Sequence, residues 1–312
     1  MSSDVLHIES VAANDQLVAD FQAYSNWRGH LTQSIAQLSR WLSEQDLNDA
    51  QTTLRIQGLI ERLKEDKLNI AFVAEFSRGK SELINAIFFA HFGKRILPSS
   101  AGRTTMCPTE LLHDATRKPC LQLLPIETRA DNVTTVEYRR YQDEWHNIPL
   151  NIDDANSMQE AFKEIGKTQR VNAETAKKFG LYDESDPDQV VALDANGEVE
   201  IPCWRHAIIN FPHPLLEQGL VILDTPGLNA IGTEPELTLN LLPNAHAILF
   251  ILAADTGVTK SDIEVWRNHI VRNQSGKRGR LVVLNKIDGL WDELRSKAEI
   301  DAEIAKQVKT TA

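Results

Sequence analysis

The chain has 312 residues, enough to bury roughly three quarters of its unfolded surface and to fold without staples. Its 33 basic and 44 acidic residues leave a net charge of −11, which argues against gripping nucleic acid by bulk charge, and 42% hydrophobic with 25% charged residues excludes whole-chain disorder. The three cysteines, Cys107, Cys120 and Cys203, are odd in number and lack metal-ligand spacing, which excludes a disulfide framework and reads as reduced thiols of a cytoplasmic protein.

The first residues, MSSDVLHIES, have no basic start and no apolar core, so they are not a secretory signal. Residues 14–68 read as helical. Leu17, Phe21, Tyr24, Leu31, Ile35, Leu38 and Leu42 alternate steps of four and three, with Arg28 filling the missing step, which makes a heptad seam. Residues 46–49 interrupt it, and Ile56, Leu59, Ile60 and Leu63 resume a helical stripe. The stripe suits either an amphipathic hairpin packed on its own domain or part of a bundle completed by other chain. Trp27 and Trp41 lie close to the seam and read as core or bundle contacts rather than membrane anchors.

Residues 69–74 (NIAFVA) read as a buried strand feeding a helix over 80–89. Further apolar runs follow at 219–224 (GLVILD), 246–254 (HAILFILAA) and 280–285 (RLVVLN). They lack alternation, as strands covered on both faces do. The most apolar stretch, 245–254, is about half the length of a spanning helix. A helix is expected over 261–272 and another in the tail from Trp291 to Val308. Strands alternating with helices predict an α/β fold with a doubly wound, mostly parallel sheet.

Between 126 and 206 the pattern weakens. Residues 156–179 read as helix, and 183–188 as an acidic loop. Asn196-Gly197, between 190–193 and 199–201, is a hairpin signal. This stretch reads as an insertion. The expected division is a helical neck or bundle segment at 1–67 and an α/β domain at 68–312 carrying that insertion. His213 and His246 are single histidines near strand ends and read as structural.

Three motifs carry chemistry. Ala74-Glu75-Phe76-Ser77-Arg78-Gly79-Lys80-Ser81 matches G-x-x-x-x-G-K-[ST] except at its first position. Between a strand and a helix, its backbone N–H groups and the helix N-terminus would face an anion. Lys80 would reach the β- and γ-phosphates, and the Ser81 hydroxyl would ligate Mg²⁺. Asp224-Thr225-Pro226-Gly227 ends the strand GLVILD. Asp224 would face that Mg²⁺, and Gly227 lets its N–H approach the γ-phosphate. Asn285-Lys286-Ile287-Asp288 ends the strand RLVVLN. The Asp288 carboxylate can accept two parallel hydrogen bonds from N1–H and the exocyclic amine of guanine, a donor pair adenine lacks. Asn285 would brace the loop and touch the base edge, and the Lys286 stem would lie over the ring. The expected ligands are GTP or GDP with Mg²⁺, and ATP is disfavoured by Asp288.

In this order the motifs resemble a GTPase of the translation-factor class, and more specifically the bacterial dynamin-like proteins, a branch of the dynamin superfamily of P-loop G domains. The resemblance rests on FVAEFSRGKSELINAIF, LPSSAGRTTMCPTEL, LDTPGLNA and LNKID. It implies that 97–111 is a first switch, whose Mg²⁺-binding, water-placing threonine falls by position on Thr105, with Thr104 as close competitor. It implies that Ser77 helps hold the β-phosphate and a charge-compensating ion. It also implies a long helical neck before the G domain.

The departures bear on rate. Leu228 stands where many small GTPases carry the water-orienting glutamine, and Phe76 stands at the polar phosphate-loop position of dynamins. Arg78 is the obvious nearby cation. It would stabilise transition-state charge in cis or across a homodimer at the nucleotide face, unless it is a plain solvent-facing loop residue. Slow basal turnover is expected. Two function classes follow: a GTPase coupling turnover to self-assembly and remodelling of a peripheral membrane, or a slow-turnover GTP-dependent switch or scaffold recruiting partners. No basic amphipathic helix speaks for lipid directly. A GTPase of this type adds one more strand after the base-reading loop, so the chain reads as the N-terminal part of a larger protein.

Overall fold

The computed structural model describes residues 3–45, 47, 49–64, 67–75, 77–98, 107–131, 133–182, 184, 193–225, 242, 245–271, 279–291 and 296–311. They divide into two compact units, 1–68 with 213–220, and 69–212 with 221–312.

The first unit is a helical hairpin of α1 (Ser3–Glu44) and α2 (Ala50–Lys64), packed on each other. Asp49 starts α2 by accepting a hydrogen bond from the Thr52 N–H at 2.6 Å. On the seam, Phe21, Leu31, Ile35 and Leu42 are half-buried, whereas Tyr24 and Leu38 are 48% and 50% exposed. Arg28, the polar break in the stripe, is buried, with its guanidinium carbon 5.4 Å from the Tyr24 ring centre. The Leu17 side chain lies outside the described residues. Trp27 and Trp41 are 57% and 51% exposed, so of the two readings, core or bundle contact, they are not core contacts of this hairpin. The segment 213–220 carries a short helix, Pro214–Glu217, started by His213, whose Nδ1 accepts from the Leu215 N–H. No helix among the described residues is long and apolar enough to cross a membrane.

Among the described residues the second unit is built on ten strands, two of them beginning in the first unit. They are β1 (Leu68–Ala74), β2 (Thr109–Leu112), β3 (Cys120–Pro125), β4 (His146–Pro149), β5 (Thr168–Asn172), β6 (Glu198–Pro202), β7 (Trp204–Asn210), β8 (Leu220–Asp224), β9 (Ala247–Ala253) and β10 (Gly279–Asn285). Eight form one sheet in the order β10-β9-β1-β8-β2-β7-β3-β4. β9 is parallel to both β1 and β10. β2 is parallel to β7 but antiparallel to β8, and β3 is antiparallel to β7 and β4. The sheet is thus α/β and mixed, and it is parallel across β10, β9 and β1. Val73, Val221, Leu223, Ile248, Phe250 and Leu252 share one core over it. Burial of every residue of β8 is the reason its sequence shows no alternation.

The expected helix over 156–179 is corrected. It is a helix at Ala155–Lys163, a turn at 164–166, β5, and a second helix at Ala173–Lys178. The Asn172 side chain starts the second helix by accepting from the Thr175 N–H at 2.8 Å. The Asn196-Gly197 turn is present, with Asp194 Oδ1 accepting from the Asn196 and Glu198 N–H groups and Gly197 at φ +74°. β6 pairs with β5, and 185–192 lie outside the described residues. β5 and β6 cover a small core of Ile126, Ala176, Val199 and Ile201. β4 instead extends the main sheet.

A buried polar group sits beside β2. Glu110 meets His206 Nε2 of β7 at 3.0 Å and is also paired with Arg139. Burial would raise its pKa, but the His206 hydrogen bond and charge, with Arg139, outweigh it and hold the carboxyl at about 2. The unfolded chain binds that proton near 4.5. This carboxylate therefore stabilises the fold fully above about pH 4.5 and loses that contribution as pH falls toward 2. Glu110→Gln is expected to flatten the loss of thermal stability between pH 4.5 and 2, read by circular dichroism at stepped pH. An unchanged slope would place the acid sensitivity elsewhere.

Candidate functional site

The site lies at the C-terminal ends of β1, β8 and β10, where open α/β sheets bind ligands. β1 delivers Ala74 fully buried, and the chain turns through Glu75, Ser77, Arg78 and Gly79 into α3 (Lys80–Phe88). Phe76 lies outside the described residues. Ser77 and Gly79 take positive φ, +65° and +85°. Two left-handed residues so close together curl the backbone into a concave loop before the α3 N-terminus, the geometry that aims N–H groups at an anion.

Lys80 is buried and forms an ion pair with Asp224 at the end of β8. The first and second motifs are therefore in contact. Ser81, the next residue of α3, is half-buried. Thr225 was not singled out by sequence. It is fully buried, and its hydroxyl donates to the Phe72 carbonyl of β1 at 2.8 Å. That bond fixes the exit of β8 against β1 and so sets where Asp224 stands. Gly227 and Leu228 lie outside the described residues, as do Thr104 and Thr105.

The third motif meets the first directly. Asn285 Nδ2 donates to the Arg78 carbonyl at 2.9 Å, which ties the end of β10 to the loop of the first motif. Lys286 takes φ +56° and its Nζ pairs with Asp255, beyond β9, at 3.0 Å. The Asp255 carboxyl is lowered by hydrogen bonds from Thr256 and Lys286. Asp288 is exposed on the turn Ile287–Leu290.

Arg78 differs from expectation. Its guanidinium is 3% exposed, and Nη2 lies 2.8 Å from Glu75 Oε2 and 3.0 Å from Asp262 Oδ2. It is neither solvent-facing nor a free cation, because two carboxylates already balance its charge. Glu75 is likewise occupied through its side chain, accepting from Arg78, Ser261 and Thr259. What it could offer a phosphate is its backbone.

Sequence reasoning also passed over Asn85. Buried on α3, it accepts from the Ile96 and Leu97 N–H groups at 3.0 and 2.8 Å and donates to the Leu97 carbonyl at 3.0 Å. It fixes the chain at the start of the tract 97–111. His246 is structural: its Nδ1 accepts from the Asn69 N–H at 3.0 Å at the start of β1. Among the described residues no cluster of three or more His, Cys, Asp or Glu could hold a metal.

The model of the Dynamin family matches residues 70–287. A bacterial dynamin-like protein of Nostoc punctiforme is 22% identical over 292 residues, which is 91% of this chain and 34% of that protein. Dynamin-like protein A of Bacillus subtilis is 22% identical over 273 residues, 80% of this chain and 22% of that one. The chain thus spans about a third or less of these curated relatives. A solved structure described as an oligomerised bacterial dynamin pair, with a mechanism for long-range sensing and tethering of membranes, aligns at TM-score 0.48 and 16% identity, over 93% of this chain and 36% of that one.

Proposed function

Because the chain belongs to the dynamin family, we propose that it binds GTP and hydrolyses it to GDP and phosphate, and that nucleotide state drives its self-association and its action on a peripheral membrane. The observation that supports this reading best is the convergence of three motifs. Lys80 pairs with Asp224, and Asn285 bonds the Arg78 carbonyl, so the three motifs meet at the C-terminal ends of β1, β8 and β10.

The loop N–H groups around Ser77 to Lys80 would bind the phosphates, with Lys80 on the β- and γ-oxygens. Ser81 and Asp224 fit Mg²⁺, a hard ion that takes one or two protein oxygens and completes its shell with phosphate and water. Bound there, Mg²⁺ would neutralise charge on the transferred phosphoryl group. Thr105 would join the ion and place the attacking water, and Gly227 would donate to the γ-phosphate. Asp288 would select guanine.

Labelled GTP tests this reading. Excess GDP is expected to displace it and excess ATP is not. Asp288→Ala is expected to weaken GTP about a hundred-fold, the loss of two hydrogen bonds to a charged acceptor. Effective competition by ATP would defeat the guanine assignment.

The Arg78 ion pairs favour the second reading, a slow-turnover switch or scaffold. With that guanidinium held by Glu75 and Asp262, Lys80 is left as the cation for the phosphates among the described loop residues. Single-turnover rates with and without liposomes separate the two readings, since a rate unmoved by self-association or lipid supports the switch.

A further inference from the structure

The Arg78 ion pairs are the centre of a larger clasp. Asp262 belongs to the short helix Lys260–Val265, which follows β9. Its Oδ2 accepts from Arg78 Nη2 at 3.0 Å, from the Thr259 N–H at 2.9 Å and from the Thr259 hydroxyl at 2.8 Å. Ser261 and Thr259 donate from the same turn to the two oxygens of Glu75, at 2.5 and 3.2 Å. Four side chains from two segments, Glu75, Thr259, Ser261 and Asp262, thus gather around one guanidinium, and Glu75 and Asp262 touch it. Arg78 is 3% and Asp262 1% exposed.

This arrangement is a poor way to stabilise a fold. A buried ion pair rarely repays the desolvation of its charges. Here two polar atoms, Arg78 Nε and Asp262 Oδ1, are also buried with no hydrogen-bond partner among the described residues. What the clasp does fix is position. Arg78 sits between Ser77 at φ +65° and Gly79 at φ +85°, and its carbonyl receives Asn285. Left-handed φ at a non-glycine residue such as Ser77 is unfavourable unless its surroundings enforce it. Holding the next side chain at both ends is one way to enforce it.

We propose that Asp262 is a positioning residue for the phosphate loop: acting through Arg78 and together with Glu75, Thr259 and Ser261, it locks the loop in its nucleotide-receiving shape and couples it to the segment after β9. This rests on the guanine-nucleotide reading of the loop. Because the lock acts on the backbone beneath all the phosphates, its loss weakens GDP and GTP alike rather than selecting between them.

Asp262→Asn is expected to raise the Kd of labelled GDP and of a non-hydrolysable GTP analogue at least ten-fold, by the same factor. Ser261→Ala leaves every charge in place, removes one bond to Glu75 and one to the Thr259 hydroxyl, and is expected to raise both about three-fold. In an Arg78→Met background, Asp262→Asn is expected to add nothing further, a dependence that general destabilisation would not produce. The Asp262 lock is overturned if both single variants bind like the unsubstituted chain, or if Asp262→Asn costs as much without Arg78 as with it. Failure of the unsubstituted chain to bind any guanine nucleotide would instead defeat the functional reading, and the lock with it.

Discussion

Lys80→Ala is expected to abolish measurable GTP binding and to lower the stability of the fold by about 3–5 kcal/mol, the usual cost of removing one partner from a buried ion pair. Both effects come from one geometry. The Lys80 and Asp224 side chains are only 9% and 8% exposed. Truncating Lys80 leaves the Asp224 carboxylate in a dry place without its counter-charge. The same truncation removes the cation that would meet the β- and γ-phosphates.

The two effects can be separated. Lys80→Met with Asp224→Leu replaces both charges by apolar groups, which is often neutral for buried pairs. The double variant is expected to regain most of the lost stability, read as Tm, and none of the nucleotide affinity, read by titration of labelled GTP. A double variant that binds GTP would show that this pair is structural and that the phosphate site lies elsewhere.

The strands that position the site were legible because they are continuous apolar runs. Residues 69–74, 219–224, 246–254 and 280–285 correspond to β1, β8, β9 and β10 to within a residue at either end. β2, β3 and β7 were not legible. Each is interrupted by polar residues whose burial depends on partners outside the strand itself. Glu110 needs His206, Arg205 donates to the Thr128 carbonyl at 2.7 Å, and Gln122 accepts from Arg117 at 2.9 Å. A polar residue reads as surface until the residue that satisfies it is known.

The site divides in the same way. Loop types and motif order announced Lys80, Asp224 and Asn285, because the spacing within each motif is local. Arg78 was misread because Asp262 is 184 residues away. Thr225 meets Phe72 across 153 residues and gave no signal beyond its place between Asp224 and Pro226. Asn85 is the harder case. Its partners are only 11 and 12 residues away, but nothing in a helical pattern distinguishes a buried asparagine from a solvated one.

Gly79→Ala should be the most damaging single-methyl change in the site. Gly79 has φ +85°, so an alanine there pays about 1–2 kcal/mol of backbone strain. The added Cβ would also lie 2.4 Å from Asn285 Nδ2. The amide can move aside, but only by giving up its bond to the Arg78 carbonyl, a further cost of about 1 kcal/mol. That movement shifts the first residue of the third motif and loosens the loop of the first motif together. Nucleotide affinity is therefore expected to fall a hundred-fold or more, well beyond the modest drop in Tm. Asn285→Ala removes the obstacle in advance. In that background Gly79→Ala is expected to cost only the backbone strain, so the two substitutions should be strongly non-additive in both Tm and Kd. Additive effects would mean that Gly79 is required for its φ alone and that the contact between the first and third motifs carries no binding energy.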